Sequence, residues 1–227
     1  MMNQPPPESE FATRSTLADM SVRDFITALG ARTPAPGGGS MTALSAGLAA
    51  AQLQMVIAYT RGKPKFSAFE EMLADYHSRL NRAGILLREL MEEDMAAYEA
   101  LNPFLKLPPA TRRSDAAYPL VVMAAIRIPY AVAVTAANIV EAAEVLTDKV
   151  NRMLISDLGV AAATAVAAVE SAELNVLVNL PLLESPVEAK AITMAMVELR
   201  TESRRRWNVL SEKILQELSA PLWTDRP

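Results

Sequence analysis

SAFEEMLADYHSRLNRAGILLRELMEEDMAAYEAL, residues Ser67 to Leu101, decides how this chain folds. Its seam positions fall at Phe69, Leu73, Tyr76, Leu80, Ala83, Leu87 and Leu90 and resume at Ala97 and Leu101, in alternating steps of four and three. That spacing predicts one long helix with a continuous seam, the pattern of a helical bundle or a coiled-coil contact. One member of the seam is out of character: Asp94. A carboxylate in place of leucine costs on the order of several kcal/mol if buried alone, so Asp94 must meet a cation, a hydrogen-bond donor or a solvent-filled cleft. A seam splayed open near its end would leave Asp94 in water; the concentration of perturbed carboxylates at sites favours the cleft. Tyr98 follows one turn on, within side-chain reach.

Upstream, Thr33-Pro34-Ala35-Pro36-Gly37-Gly38-Gly39-Ser40 leads into a nearly uncharged helix predicted over Met41 to Tyr59. Three glycines are costly to order, so the backbone there must approach something closely. Ser40 or a glycine before it would cap the helix and leave first-turn N–H groups aimed outward, a place for a carbonyl, carboxylate or phosphate. A rigid turn between two packed helices is the alternative reading. The loop has no GxGxxG spacing and no Gly-Lys-Ser/Thr, which argues against a dinucleotide site or a Walker loop.

Working outward, residues 1–18 read as a disordered arm around Pro5, Pro6 and Pro7, and 19–222 as a single domain. Ser21 and Asp24 form a capping box for a short helix ending at Gly30. Thr60 to Phe66 is a cationic turn. A connector is expected from Asn102 to Pro109, then a helix over Asp115 to Lys149, kinked or restarted at Pro129. Ser156 reads as the cap of the next helix, whose Leu158 to Val169 stretch has no charge and is expected to be buried all round. The loop before it would put Asn151, Ser156 and Asp157 near the centre, and Asn175 and Asn179 share one helical face. Ser185 to Glu188 caps a last helix running to about Ser219. The expected architecture is an all-α bundle of six or seven helices, several of them long, with seams that suit a homodimer.

Composition narrows the function. The chain has 227 residues, 51% of them apolar but only 5% aromatic, enough for one core built mainly from small and aliphatic side chains. With no cysteine and one histidine, disulfides, thiolate metal sites and His-rich metal centres are excluded. A net charge of −4 gives no reason to expect nucleic acid. Residues 1 to 10 do not read as a secretory signal. The least polar window, Ala116 to Val140, is interrupted by Pro119 and Pro129 and reads as a core helix rather than a membrane span. A cytoplasmic protein without membrane contact is the expectation.

Four stretches, in order, carry a resemblance: Thr33 to Ser40 (TPAPGGGS), Thr60 to Phe66 (TRGKPKF), Asn151 to Val160 (NRMLISDLGV) and Leu174 to Leu180 (LNVLVNL). With the Asp94 to Tyr98 segment, they resemble the cyclodeaminase/cyclohydrolase family: the C-terminal domain of formiminotransferase-cyclodeaminase and the free-standing methenyltetrahydrofolate cyclohydrolases. The resemblance implies an all-helical dimer acting on a tetrahydrofolate derivative without metal or redox cofactor. The reaction it implies is hydrolysis of methenyltetrahydrofolate to 10-formyltetrahydrofolate. The alternatives are ring closure of formimino-tetrahydrofolate with loss of ammonia, or a non-catalytic folate-binding or scaffolding dimer. On this basis Asp94, Asp157 and Lys63 are the candidate catalytic residues. Pro36, Gly37, Gly38, Gly39, Ser40, Thr60, Lys65, Tyr98, Asn151, Ser156, Asn175 and Asn179 are the candidate substrate contacts, with Arg61 weaker. Two departures from the family pattern stand out. The turn commonly read Gly-Lys-Lys-Lys-Tyr is Gly62-Lys63-Pro64-Lys65-Phe66 here, and Gly-Asn-x-Asn has become Val150-Asn151-Arg152-Met153.

Overall fold

The computed structural model describes residues 16–219. Seven α-helices follow one another: α1 Val22–Leu29, α2 Gly38–Ala58, α3 Glu70–Leu105, α4 Pro109–Arg113, α5 Tyr118–Leu146, α6 Ile155–Asn179 and α7 Pro186–Ser219, and no strand occurs among the described residues. The all-α expectation is met. α2 lies between α3 and α6 with α5 beneath it, and α7 packs on α5 and α6 away from α2.

The seam of α3 is laid down as its spacing requires: Leu73, Leu80, Leu87, Leu90, Ala97 and Leu101 are buried, with Asp94 half-buried among them. Ala43, Ala46, Ala49 and Ala50 of α2 and Ala161, Ala162, Ala165, Ala168 and Ala172 of α6 are almost fully buried, and such short side chains let the central helices approach closely. Ser21 caps α1 by accepting from the Asp24 N–H at 3.1 Å, and Ser185 does the same for Glu188 at 3.2 Å. α7 is held against the bundle by ion pairs, Arg200 with Glu173, Arg204 with Glu170 and Arg206 with Glu144.

Several boundaries differ from the sequence reading, each for a local reason. Of the arm expected over 1–18, residues 1–15 lie outside the described part, as do 220–222 of the expected domain. Leu17 is not in a loose arm: it sits in a 3-10 turn, Leu17–Asp19, and is buried against the core. α3 runs through Pro103 to Leu105, because a proline in the last turn forfeits only one bond, to a carbonyl that water can reach. α5 passes through Pro129 unbroken. α2 starts at Gly38 rather than Met41, because its cap is Gly37, the glycine alternative to Ser40. Ser156 caps nothing, since a 3-10 turn, Arg152–Leu154, feeds directly into α6 and Asn151 caps that turn through its bond from the Met153 N–H at 3.2 Å.

The expectation that α6 is covered all round fails on one side: Val160 is 59% exposed, and Ala167 is exposed as well. α2 likewise leaves Met41, Leu48 and Tyr59 uncovered. Among the described residues three helical segments, Gly38–Ala58, Tyr118–Leu146 and Arg152–Leu182, have the length and apolar composition of a membrane span. Only the second overlaps the least polar window of the sequence, Ala116 to Val140.

Candidate active site

The triple glycine and the seam aspartate meet. α2 begins against α3 so closely that a Cβ on Gly39 would sit 1.9 Å from Asp94 Oδ1. Only glycine leaves that space, and the carboxylate fills it. At Gly38 a Cβ would stand 3.4 Å from Asn175 Oδ1, an ordinary contact, and Gly37 has room. The three glycines therefore have different duties, and the close approach concerns one.

Asp94 Oδ2 accepts from the Ser40 hydroxyl at 3.3 Å, and the Ser40 backbone N–H also serves this carboxylate. The first turn of α2 gives it a partly positive helix end. Burial works the other way and is stronger: it pushes the Asp94 carboxyl above its ordinary value, with the Ser40 hydrogen bonds opposing. A carboxyl so placed can exchange a proton nearer neutrality than an exposed one.

Beside it opens a cavity of about 430 Å³, lined by Thr33 to Ala35, Gly37 to Ser40, Asp94, Tyr98, Asn175 and Asn179, with Met95, Leu101, Leu105, Pro129 and Val178 among its apolar walls. That volume lies within the roughly 300–1,000 Å³ of small-molecule sites, and the mix of apolar wall and few polar groups is typical of them. Among the described residues no Lys, Arg or His lines it.

The two asparagines have distinct jobs. Pro129 lacks the N–H that would bond the Ala125 carbonyl four residues earlier. Asn179 Nδ2 takes that carbonyl at 3.0 Å and the Asn175 carbonyl at 3.0 Å, closing the gap in α5 from α6. Its amide hydrogens are spent on the fold, so of its polar atoms the Oδ1 is left to face the cavity. Asn175 Nδ2 lies 3.4 Å from Thr42 Oγ1, which donates to the Gly38 carbonyl at 2.7 Å. This ties the middle of α6's last turns to the glycine loop.

The remaining predicted residues gather elsewhere. Asp157 lies 18 positions before Asn175 on α6, about 27 Å along the helix. Its Oδ1 accepts from Gln52 Nε2 at 2.8 Å. Thr60 is fully buried; its hydroxyl donates to the Val56 carbonyl at 2.7 Å and accepts the Asn151 N–H at 3.0 Å. Thr60 is thus corrected from a ligand contact to a latch between the end of α2 and the loop before α6, and Asn151 belongs to the same latch. Pro36 is also corrected: it is buried and does not line the cavity, where Pro34 and Ala35 stand instead. Lys63, Lys65 and Ser156 are exposed at this far end. Of the candidate catalytic residues, Asp94 lines the cavity beside Gly38, whereas Asp157 and Lys63 do not. Phe66, where the family pattern has a tyrosine, is buried in the core, and Met153 is 40% exposed.

Sequence reasoning missed Gln52, Thr42 and the cavity role of Pro129. Gln52 and Gln54 are the only amides in an uncharged helix, a signal that was available; nothing in the sequence joins Pro129 to Asn179. A second cavity, about 370 Å³ between α3 and α5, is lined by Tyr76, Arg79, Arg82 and Asn138 and holds none of the predicted residues. Among the described residues no three His, Asp or Glu side chains gather as metal ligands would.

Comparison with known proteins places this geometry. Residues 21–198 match the family model described as formiminotransferase-cyclodeaminase. The chain is 31% identical over 163 residues to the methenyltetrahydrofolate cyclohydrolase of Methylorubrum extorquens, covering 70% of this chain and 78% of that one. It is 33% identical over 169 residues to the formimidoyltransferase-cyclodeaminase of Rattus norvegicus, covering 73% of this chain but 31% of the longer rat protein. The crystal structure of formiminotetrahydrofolate cyclodeaminase from Thermotoga maritima shares the fold, with a TM-score of 0.75 at 22% identity over 91% of this chain and all of that one. The chain therefore belongs to the formiminotransferase-cyclodeaminase family, the cyclodeaminase/cyclohydrolase enzymes of folate one-carbon metabolism.

Proposed function

We propose that this protein hydrolyses 5,10-methenyltetrahydrofolate to 10-formyltetrahydrofolate, as a cytoplasmic homodimer that needs no metal or redox cofactor and engages neither nucleic acid nor membrane. One observation carries the reading: a half-buried carboxyl with a raised pKa, seated on the first turn of α2 and facing an otherwise uncharged cavity. The match to a free-standing cyclohydrolase over 78% of its length supports hydrolysis over deamination.

The chemistry asks little else of the protein. Ionised Asp94 takes a proton as water adds to the methenyl carbon, giving a neutral tetrahedral adduct. The C–N5 bond then breaks as Asp94 returns a proton to N5 and the adduct's hydroxyl releases one to solvent. One water is consumed and one proton leaves. The negative charge of Asp94 also favours the cationic substrate in a cavity of low polarity. Ring closure of formimino-tetrahydrofolate would use the same group as an acid toward departing ammonia. Assay of the purified protein with both folates decides between them: turnover of the methenyl compound is expected, release of ammonia from the formimino compound alone would assign the other reaction, and inertness toward both would leave a binding or scaffolding protein.

A further inference from the structure

The hollow between α3 and α5 comes from small residues in a leucine seam. Leu73, Leu80 and Leu87 fill that seam to either side, but Ala83 stands among them and Ala142 lines the α5 wall. A cavity of about 370 Å³ opens there over a floor of Leu80 and Ile139, both buried. The two helices run antiparallel, since Phe104 at the end of α3 meets Tyr118 at the start of α5 with ring centroids 5.5 Å apart. Measured from that contact, Arg82 lies about 33 Å back along α3 and Glu141 about 35 Å on along α5, which sets them at one level on opposite banks. Both line the cavity, yet among the described residues they do not pair with each other.

Each bank has a charge to spare. On α3, Arg79 is paired with Asp75 at 2.7 Å and its guanidinium lies 5.3 Å over the Tyr76 ring, whereas Arg82 has only a neutral partner, the Ser78 hydroxyl at 2.8 Å. On α5, Glu141 meets Arg206 only at 3.9 Å, because that guanidinium is taken up by Glu144 and by Glu202, the latter at 2.9 Å. Asn138 lines the cavity one turn before Glu141 and offers an amide. A simple anion placed here would face Glu141, and a simple amine would face Arg82; a molecule with both charges on neighbouring atoms satisfies the two banks together. The structure assigns this cavity to an α-amino acid with an aliphatic side chain. Its carboxylate meets Arg82 and the Asn138 amide, its ammonium meets Glu141, both through charge-assisted hydrogen bonds, and its side chain rests on Leu80, Ala83, Ile139 and Ala142. The volume is at the low end for small-molecule sites, as so small a ligand requires. The Asp94 cavity begins about 18 Å further along α3, so this second site is separate from it and independent of the folate reading.

Calorimetric titration of the full-length chain tests this with L-leucine as probe, beside 4-methylpentanoate, which keeps only the carboxylate, and 3-methylbutylamine, which keeps only the amine. L-Leucine is expected to bind once per chain and at least about tenfold more tightly than either, since each of these lacks one charge-assisted bond. Arg82→Gln is expected to weaken L-leucine and 4-methylpentanoate by at least about tenfold and to leave the amine no weaker. Glu141→Gln should weaken L-leucine and the amine and leave 4-methylpentanoate no weaker. Both side chains are exposed, so both variants are expected to fold. Ala83→Leu, which returns leucine to the seam, should abolish binding with the melting temperature kept or raised. Absence of saturable binding up to about 10 mM L-leucine, equal affinity for the three probes, or L-leucine affinity unchanged in the three variants would each overturn the proposal. Inorganic phosphate binding more tightly than L-leucine would overturn it too, in favour of an anion site. These titrations decide the matter whether or not the protein turns over a folate.

Discussion

The two ends of α2 are furnished alike and behave differently. Each has a carboxylate from a neighbouring helix together with an amide and a hydroxyl side chain. At the C-terminal end these groups satisfy one another: Gln52 holds Asp157, and Thr60 takes the Asn151 N–H. At the N-terminal end Asp94 has only Ser40 and the helix end for company, and it opens onto a cavity. The residue types are the same, so what separates a latch from a reactive site is whether the polar groups are used up by each other. A buried polar group that is fully paired stabilises, whereas one left short of partners is held at a cost that only a ligand or a reaction recovers.

The largest effect should fall on the unsatisfied end. Asp94→Asn is expected to lower turnover by about 10²–10⁴-fold, the usual range for losing a general acid/base. It should leave the fold intact and raise its stability. The sign follows from burial: a carboxyl whose pKa is higher folded than unfolded binds more protons in the folded state. Stability is therefore fully present below the unfolded value and falls as pH rises through the folded one. Thermal melts across that interval check it; the wild type should lose stability with rising pH there and the variant should not. Stability and turnover should thus run in opposite directions over one pH window.

Gly39→Ala comes next. Its Cβ would occupy the place of Asp94 Oδ1, so the carboxylate must swing off the helix end. A loss of about 10²-fold in turnover is expected, as for misplacing a catalytic group by an ångström. Gly37→Ala, two residues away with open space around it, should change turnover by less than about threefold. Equal effects at both positions would show that the triplet matters as a flexible unit and not as a close approach.

A smaller effect tests the repair of α5. Asn179→Ala should cost about 1–3 kcal/mol by leaving the Ala125 carbonyl without a donor. Pro129→Ala restores the missing N–H, so the cost of Asn179→Ala should shrink in that background. Urea denaturation of the four proteins measures the coupling. At the latch, Thr60→Val should cost roughly 1–2 kcal/mol, with turnover per folded molecule reduced far less than by Gly39→Ala.

These contrasts also show what could be read from sequence. The seam spacing of α3 was legible because a long amphipathic helix has only one face to bury, and Asp94 stood out for breaking that face. The caps at Ser21 and Ser185 were legible because they are local. Ser156 was misread because a 3-10 turn, which leaves little pattern of its own, displaced the helix start. Pro103 looked like a break and Pro129 like a kink or restart because sequence does not say whether the carbonyl four residues earlier is solvated or repaired. The grouping of Asp94 with Gly39, Asn175 and Asn179 depends on helix order in space. The misplacement of Asp157 has the same origin, since an antiparallel pair of helices puts residues that look equally central at opposite ends.

The account stands on Asp94 being the proton-exchanging group, and its own titration tests that most directly. Carbon-13 NMR of aspartate-labelled protein would give the carboxyl's pKa, with Asp94→Asn assigning the signal, beside the pH dependence of kcat/KM for methenyltetrahydrofolate. The prediction is that Asp94 titrates above the ordinary carboxylate range and that the acid limb of kcat/KM falls at the same pH. An Asp94 signal titrating like an exposed carboxylate, or an acid limb that persists unchanged in Asp94→Asn, would contradict it.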